Sequence, residues 1–195
     1  MLRSLIASAA ATVLLAIAAP AHSAVLIYQT HMSGVNEVPA NPSLATGFTL
    51  VTIDTDLDTM LVDVSYNGVA TPPGAAHIHC CTPVGTNIGV AVGFPGFPTS
   101  LSGAYSHLFS LLDSTIYTTS FLNNFGGGTA AGAEAALLAG LADGLAYSNI
   151  HNSVFPGGEI RGQLAAVPET GTWAMMILGF AALGATLRRR RAAFA

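Results

Sequence analysis

Lysine is absent from this chain of 195 residues, and no arginine stands between Arg3 and Arg161. Charged residues make up only 8% of the whole. Across 25–166, nine acids (Glu37, Asp54, Asp56, Asp58, Asp63, Asp113, Glu134, Asp143 and Glu159) face Arg161 alone, a net of −8. A surface of that sign is repelled by nucleic acid and by anionic lipid, which excludes nucleic-acid binding as the function. Cations, or neutral surfaces such as glycans, are the fitting partners. Several enzyme signatures are missing as well: there is no serine elbow, phosphate loop, zinc-protease motif or glycosidase-like carboxylate pair. The only acid pair of note is Glu37 with Glu159.

Apolar length is concentrated at the two ends. Arg3, the apolar run Leu5–Ala19 and the small residues that follow read as a secretory signal peptide over 1–24, cut after Ala21, Ser23 or Ala24. At the other end, a stretch from about 172 to 187 is near the lower limit of the ~17–25 residues that span a bilayer. Trp173 suits one interface and Arg188–Arg191 the cytoplasmic one, leaving the middle of the chain outside. The order Pro168-Glu169, Trp173-Ala174, apolar segment, arginine cluster resembles the PEP-CTERM sorting signal in its Trp-Ala variant, with Thr170 in place of the usual second proline. That resemblance implies an exosortase-type processing enzyme as a partner and a membrane anchor through the C-terminal helix. It implies a periplasmic domain held at the inner membrane before processing, and a cell-surface or extracellular one afterwards.

Between the ends, 25–166 fits one domain. Period-two alternation predicts strands at Val25–Thr30, Phe48–Ile53, Met60–Tyr66, Ile88–Phe94, Tyr105–Leu112 and Leu145–Ile150. Asp54-Thr55-Asp56-Leu57-Asp58-Thr59 begins like a calcium-binding loop, but Thr59 and Ser65 occupy the positions that need Gly and Glu, so a polar hairpin turn is the reading. Thr129 is placed to cap a helix running to Ala142 with Gly144 as its stop. The Phe94-Pro95-Gly96-Phe97-Pro98 loop reads as an exposed aromatic surface for an exopolysaccharide or a surface protein.

Pro156-Gly157-Gly158 is a turn signal, and Ile160, Gly162 and Leu164 alternate after it with Arg161 and Gln163. Glu159 shares a face with Arg161 and is its nearest candidate partner. Pro-Gly-Gly-Glu-Ile-Arg-Gly (156–162), His77-Ile78-His79 and Gly34-x-x-Glu37-Val38-Pro39 together resemble the chordin-type CHRD domain over about 26–165. The resemblance implies an all-β fold, an Ig-like or superoxide-dismutase-like antiparallel sandwich with one short inserted helix. It makes Glu37, Pro39, Pro156, Gly157, Gly158, Glu159, Arg161 and Gly162 signature residues of the fold. It implies no settled activity. Dismutase chemistry does not carry over, because a second histidine cluster and a zinc loop are not visible.

Two clusters hold what chemistry the chain has. His77 and His79 point to one face of a strand, and His151 lies on the strand entering the last hairpin. If those strands adjoin, three imidazoles converge into a copper or zinc site, with Cys80 as a further ligand; otherwise the histidines pack and hydrogen-bond within the fold. Cys80 and Cys81 are open to three readings: a vicinal disulfide, soft-metal ligation beside His79, or a bond to another chain. The expected function is that of an exported, non-enzymatic surface or matrix module, with an exported copper or zinc protein as the alternative.

Overall fold

A computed structural model of the chain describes residues 25–168, 177–181 and 183–184. The expected signal peptide lies outside those residues, as do Glu169, Trp173, Ala174, Arg188–Arg191 and much of the expected transmembrane stretch; Pro168 is exposed coil. Residues 177–181 and 183–184 are helical and exposed, and no helix among the described residues is long and apolar enough to cross a membrane.

Alternation builds the first half of the sheet. β1 (Val25–Ser33), β2 (Thr46–Asp54) and β3 (Thr59–Asn67) pair as a meander, and β3 pairs onward with β6 (Gly103–Ser110). Tyr28, Met32, Val51, Ile53, Met60, Val62 and Val64 turn inward, every second residue. The 54–59 turn is the polar hairpin expected: Asp54 Oδ1 accepts from the amides of Asp56 (3.0 Å) and Leu57 (3.1 Å), and Asp58 takes φ 50°, a conformation Asp tolerates.

The second half comprises β4 (Pro73–His79), β5 (Val90–Gly93), β7 (Tyr147–Asn152), β8 (Ile160–Gln163) and the two-residue β9 (Ala165–Ala166). All pairs are antiparallel, and the strands run in the order β5-β4-β7-β8-β1-β2-β3-β6, with β9 on β1. Where a sandwich would divide into two sheets, this pairing is continuous. Its narrowest link is β8 to β1, a single register pair, Ser33↔Arg161. The sheet curls there. Thr49 on β2 donates across to Ser148 on β7 (2.9 Å, buried), and Gly47 leaves room for the Ile160 side chain from β8. Ile78, Ile150 and Ile160 are fully buried in the enclosed core, each stabilising the fold by roughly 1.5–3 kcal/mol.

Two α-helices close the structure where one was expected: α1 (Thr119–Asn124) and α2 (Ala130–Ala142). α2 starts as predicted, with Thr129 Oγ1 accepting from Gly132 N, and it stops at Gly144, which has φ 69°.

Candidate metal centre

Strand alternation sends Ala76 and Ile78 into the core and His77 and His79 to the opposite face. The neighbour on that face is β7, in the register Ala75↔His151, His77↔Asn149 and His79↔Tyr147. His151 therefore comes beside the other two, with ring centroids 5.1 Å from His77 and 6.0 Å from His79; His77 and His79 are 5.5 Å apart. One ring nitrogen from each lies within 4.8 Å of the others. A triangle of that edge has its centre about 2.8 Å from each corner at most, a small contraction away from metal–nitrogen bonds of ~2.0–2.1 Å.

Hydrogen bonding fixes two of the tautomers. His79 Nδ1 is 2.7 Å from the carbonyl of Ile88, and His151 Nδ1 is 2.9 Å from that of Pro156. A carbonyl only accepts, so each Nδ1 carries the proton and each Nε2 keeps a lone pair. His79 Nε2, His151 Nε2 and His77 Nδ1 are buried without hydrogen-bond partners. Burial, assisted by the other two histidines, pushes His77 down to about 4. Burial first, with His151 and Arg161 adding to it, brings His79 down to about 4 against the opposing pull of the Ile88 carbonyl. Burial also lowers His151. The face thus gathers three imidazoles held in the neutral form, each with a ring nitrogen close to the other two.

Cys80 does not join them. It is bonded to Cys81 across a cis peptide, Cα to Cα 3.1 Å, so the vicinal disulfide is the pairing found. A bonded sulfur is not a thiolate, and both sulfurs face Gly140 of α2.

The signature residues surround the histidines. Arg161 is buried. Its guanidinium lies 3.8 Å from the Tyr147 ring centroid, and that ring stacks on His79 at 4.6 Å. Both terminal nitrogens donate to the Thr86 carbonyl (3.3 and 3.2 Å). Of the carboxylates open to Arg161, its ion-pair partner is Glu37 (Nε–Oε2 3.8 Å) rather than the adjacent candidate Glu159. The Pro156–Gly158 turn delivers Glu159 to loop 68–72, where it accepts from Ala70 N (2.9 Å), Ser43 Oγ (2.6 Å) and Asn152 Nδ2. Gly158, at φ 127°, has no room for a Cβ beside Asn149 and Glu37, and Gly162 has none beside Thr30. Gly157 faces open space, and Val38–Pro39 is a cis bond in the segment carrying Glu37.

One expected surface is overturned. Phe94 is buried and Phe97 half-buried, because both pack with Tyr105 at 5.4 and 5.3 Å; only Pro95 and Gly96 of that loop are exposed, with Pro98 half-buried. The loop therefore does not project two exposed aromatic rings. Reading the sequence missed Tyr147 and Asn149, although they alternate with His151 on one strand face.

The fold and this constellation define a chordin-type domain. The chain belongs to the CHRD domain family, whose model matches residues 28–164. No curated protein and no solved structure matches it.

Proposed function

We propose that this CHRD-family chain is a metal-binding protein that holds one copper or zinc ion on His77 Nδ1, His79 Nε2 and His151 Nε2. The supporting observations are that His77, His79 and His151 each bring a ring nitrogen within 4.8 Å of the others, and that each holds one buried ring nitrogen without a hydrogen-bond partner. Buried polar atoms are rarely left without partners, and the backbone carbonyls that hold the other nitrogens of His79 and His151 are the usual second shell of a metal-bound histidine. Imidazole donors suit copper and zinc, and no fourth His, Cys, Asp or Glu joins the three among the described residues, so one coordination position is open to a small ligand. Metal analysis of the purified full chain after exposure to copper or zinc tests this. One ion per chain is expected in the wild type and almost none in His79→Ala or His151→Ala. Equal metal content in all three would remove the reading.

The same chain is proposed to act outside the cytoplasm, as a surface or matrix protein exported by its 1–24 segment and sorted through 168–191. The apolar ends and the arginine cluster support this. The mass of the protein recovered from cells checks it: loss of 1–24 is expected, and an intact N-terminus on all recovered protein would count against export. A sandwich-like description of the domain is supported by the Thr49–Ser148 bridge across the curl.

A further inference from the structure

His77 differs from the other two histidines. His79 and His151 each hand their second ring nitrogen to a backbone carbonyl. The second nitrogen of His77, Nε2, has no hydrogen-bond partner among the described residues and, unlike Nδ1, is not buried. The adjoining ring carbon, Cδ2, is the His77 atom that faces Gly93, 4.0 Å from where a Cβ would stand. Gly93 and His77 both line an open cavity of about 680 Å³, together with Gly74, Phe94, Asp113 and Tyr117. That volume falls among those of ligand clefts. A metal-bound histidine nearly always donates its other N–H to an acceptor, and at His77 only the cavity can supply one.

The cavity's chemistry selects the acceptor. Asp113 Oδ1 is engaged by Thr115 N (2.9 Å) and Thr115 Oγ1 (2.8 Å), while Oδ2 makes no hydrogen bond among the described residues. A donor at His77 and an acceptor at Asp113 are both met by hydroxyl groups, which give and take hydrogen bonds. A carboxylate ligand would be repelled by Asp113 and by the domain's net −8. An ammonium would have no lone pair for the His77 N–H. The Phe94 and Tyr117 rings give the floor an apolar component.

We infer that this cleft binds a neutral polyhydroxyl ligand, a short oligosaccharide chain, one hydroxyl oxygen of which accepts from His77 Nε2–H beside the metal. This rests on the metal reading for the proton on Nε2. It is tested on the zinc-loaded full chain by calorimetric titration with cellotetraose, maltotetraose and, as the charged counterpart, tetragalacturonate. At least one neutral tetrasaccharide should bind with a Kd of about 1 mM or tighter. Gly74→Trp and Gly93→Trp, which fill the cleft from two sides, should each weaken that binding by about tenfold or more. Metal content should be unchanged in Gly74→Trp, since Gly74 is not a ligand and a Cβ there meets nothing within 4 Å, which also guards against misfolding. No binding of either neutral sugar, tighter binding of tetragalacturonate, or binding indifferent to both tryptophans would overturn the inference. Absence of zinc from the wild-type chain is the separate result that sinks the metal reading.

Discussion

Glu37 lies 3.8 Å from the only guanidinium among the described residues, and Asn149 Nδ2 donates to its Oε1 at 2.6 Å. Both lower its pKa, yet burial outweighs them and raises it from 4.5 to about 7. An acid with a raised folded pKa binds more protons in the native than in the unfolded state. Its contribution to stability is therefore complete below about 4.5 and is lost as pH rises through about 7. The lowered histidines contribute with the opposite sign over part of this window, so the difference is what reads Glu37: between about pH 5 and pH 8 the urea midpoint of the wild type should fall relative to that of Glu37→Gln, whose amide cannot ionise. Parallel profiles would show that Glu37 does not titrate in this window. None of this was legible in the sequence: Glu159 stands two residues from Arg161, and only the long return of the chain brings Glu37 there instead. His77 and His79 were legible as a pair, because strand parity is local. The convergence of His151 depends on β7 pairing with β4, a contact between segments far apart in the chain.

At the level of elements, the strands and α2 could be read directly, since alternation, the Thr129 cap and the Gly144 stop are local signals. β5 is shorter than expected at its start, because the carbonyl of Ile88 accepts from His79 Nδ1 (2.7 Å) and Tyr147 Oη (3.4 Å) instead of joining a ladder. α1 has six residues, too few for a helical period to stand out. The Phe94–Phe97 loop looked exposed because nothing in its own stretch shows Tyr105 beneath it. α2 also explains a glycine at mid-helix. Ala in place of Gly gains about 0.8–1 kcal/mol of helix propensity, but at Gly140 the new methyl meets both sulfurs of the Cys80–Cys81 bond. Those sulfurs are fixed to backbone on both sides and cannot swing away, and overpacking of this kind costs typically 1–3 kcal/mol. The clash outweighs the propensity, so Gly140→Ala should lower the urea midpoint. A higher midpoint would mean that the helix slides to make room.

For the molecule as a whole, the acidic middle and the curled sheet give one closed core with the imidazole cluster on the face away from it. The strand order also settles where the polypeptide enters and leaves. β9 lies on β1, with Tyr28↔Ala166 and Gln29↔Ala165 opposed and Val167 N bonded to the Ile27 carbonyl at 2.8 Å. Residue 25 and residue 167 therefore lie side by side, and anything fused before one or after the other springs from a single point on the domain. A circular permutant that joins 167 to 25 through a few glycines and opens at Gly127–Gly128, where both glycines are exposed and have positive φ, should fold with an unaltered β-sheet circular dichroism spectrum. A tether attached at either end would thus leave the domain from the β1–β9 edge, while the histidines sit on β4 and β7, farther along the strand order.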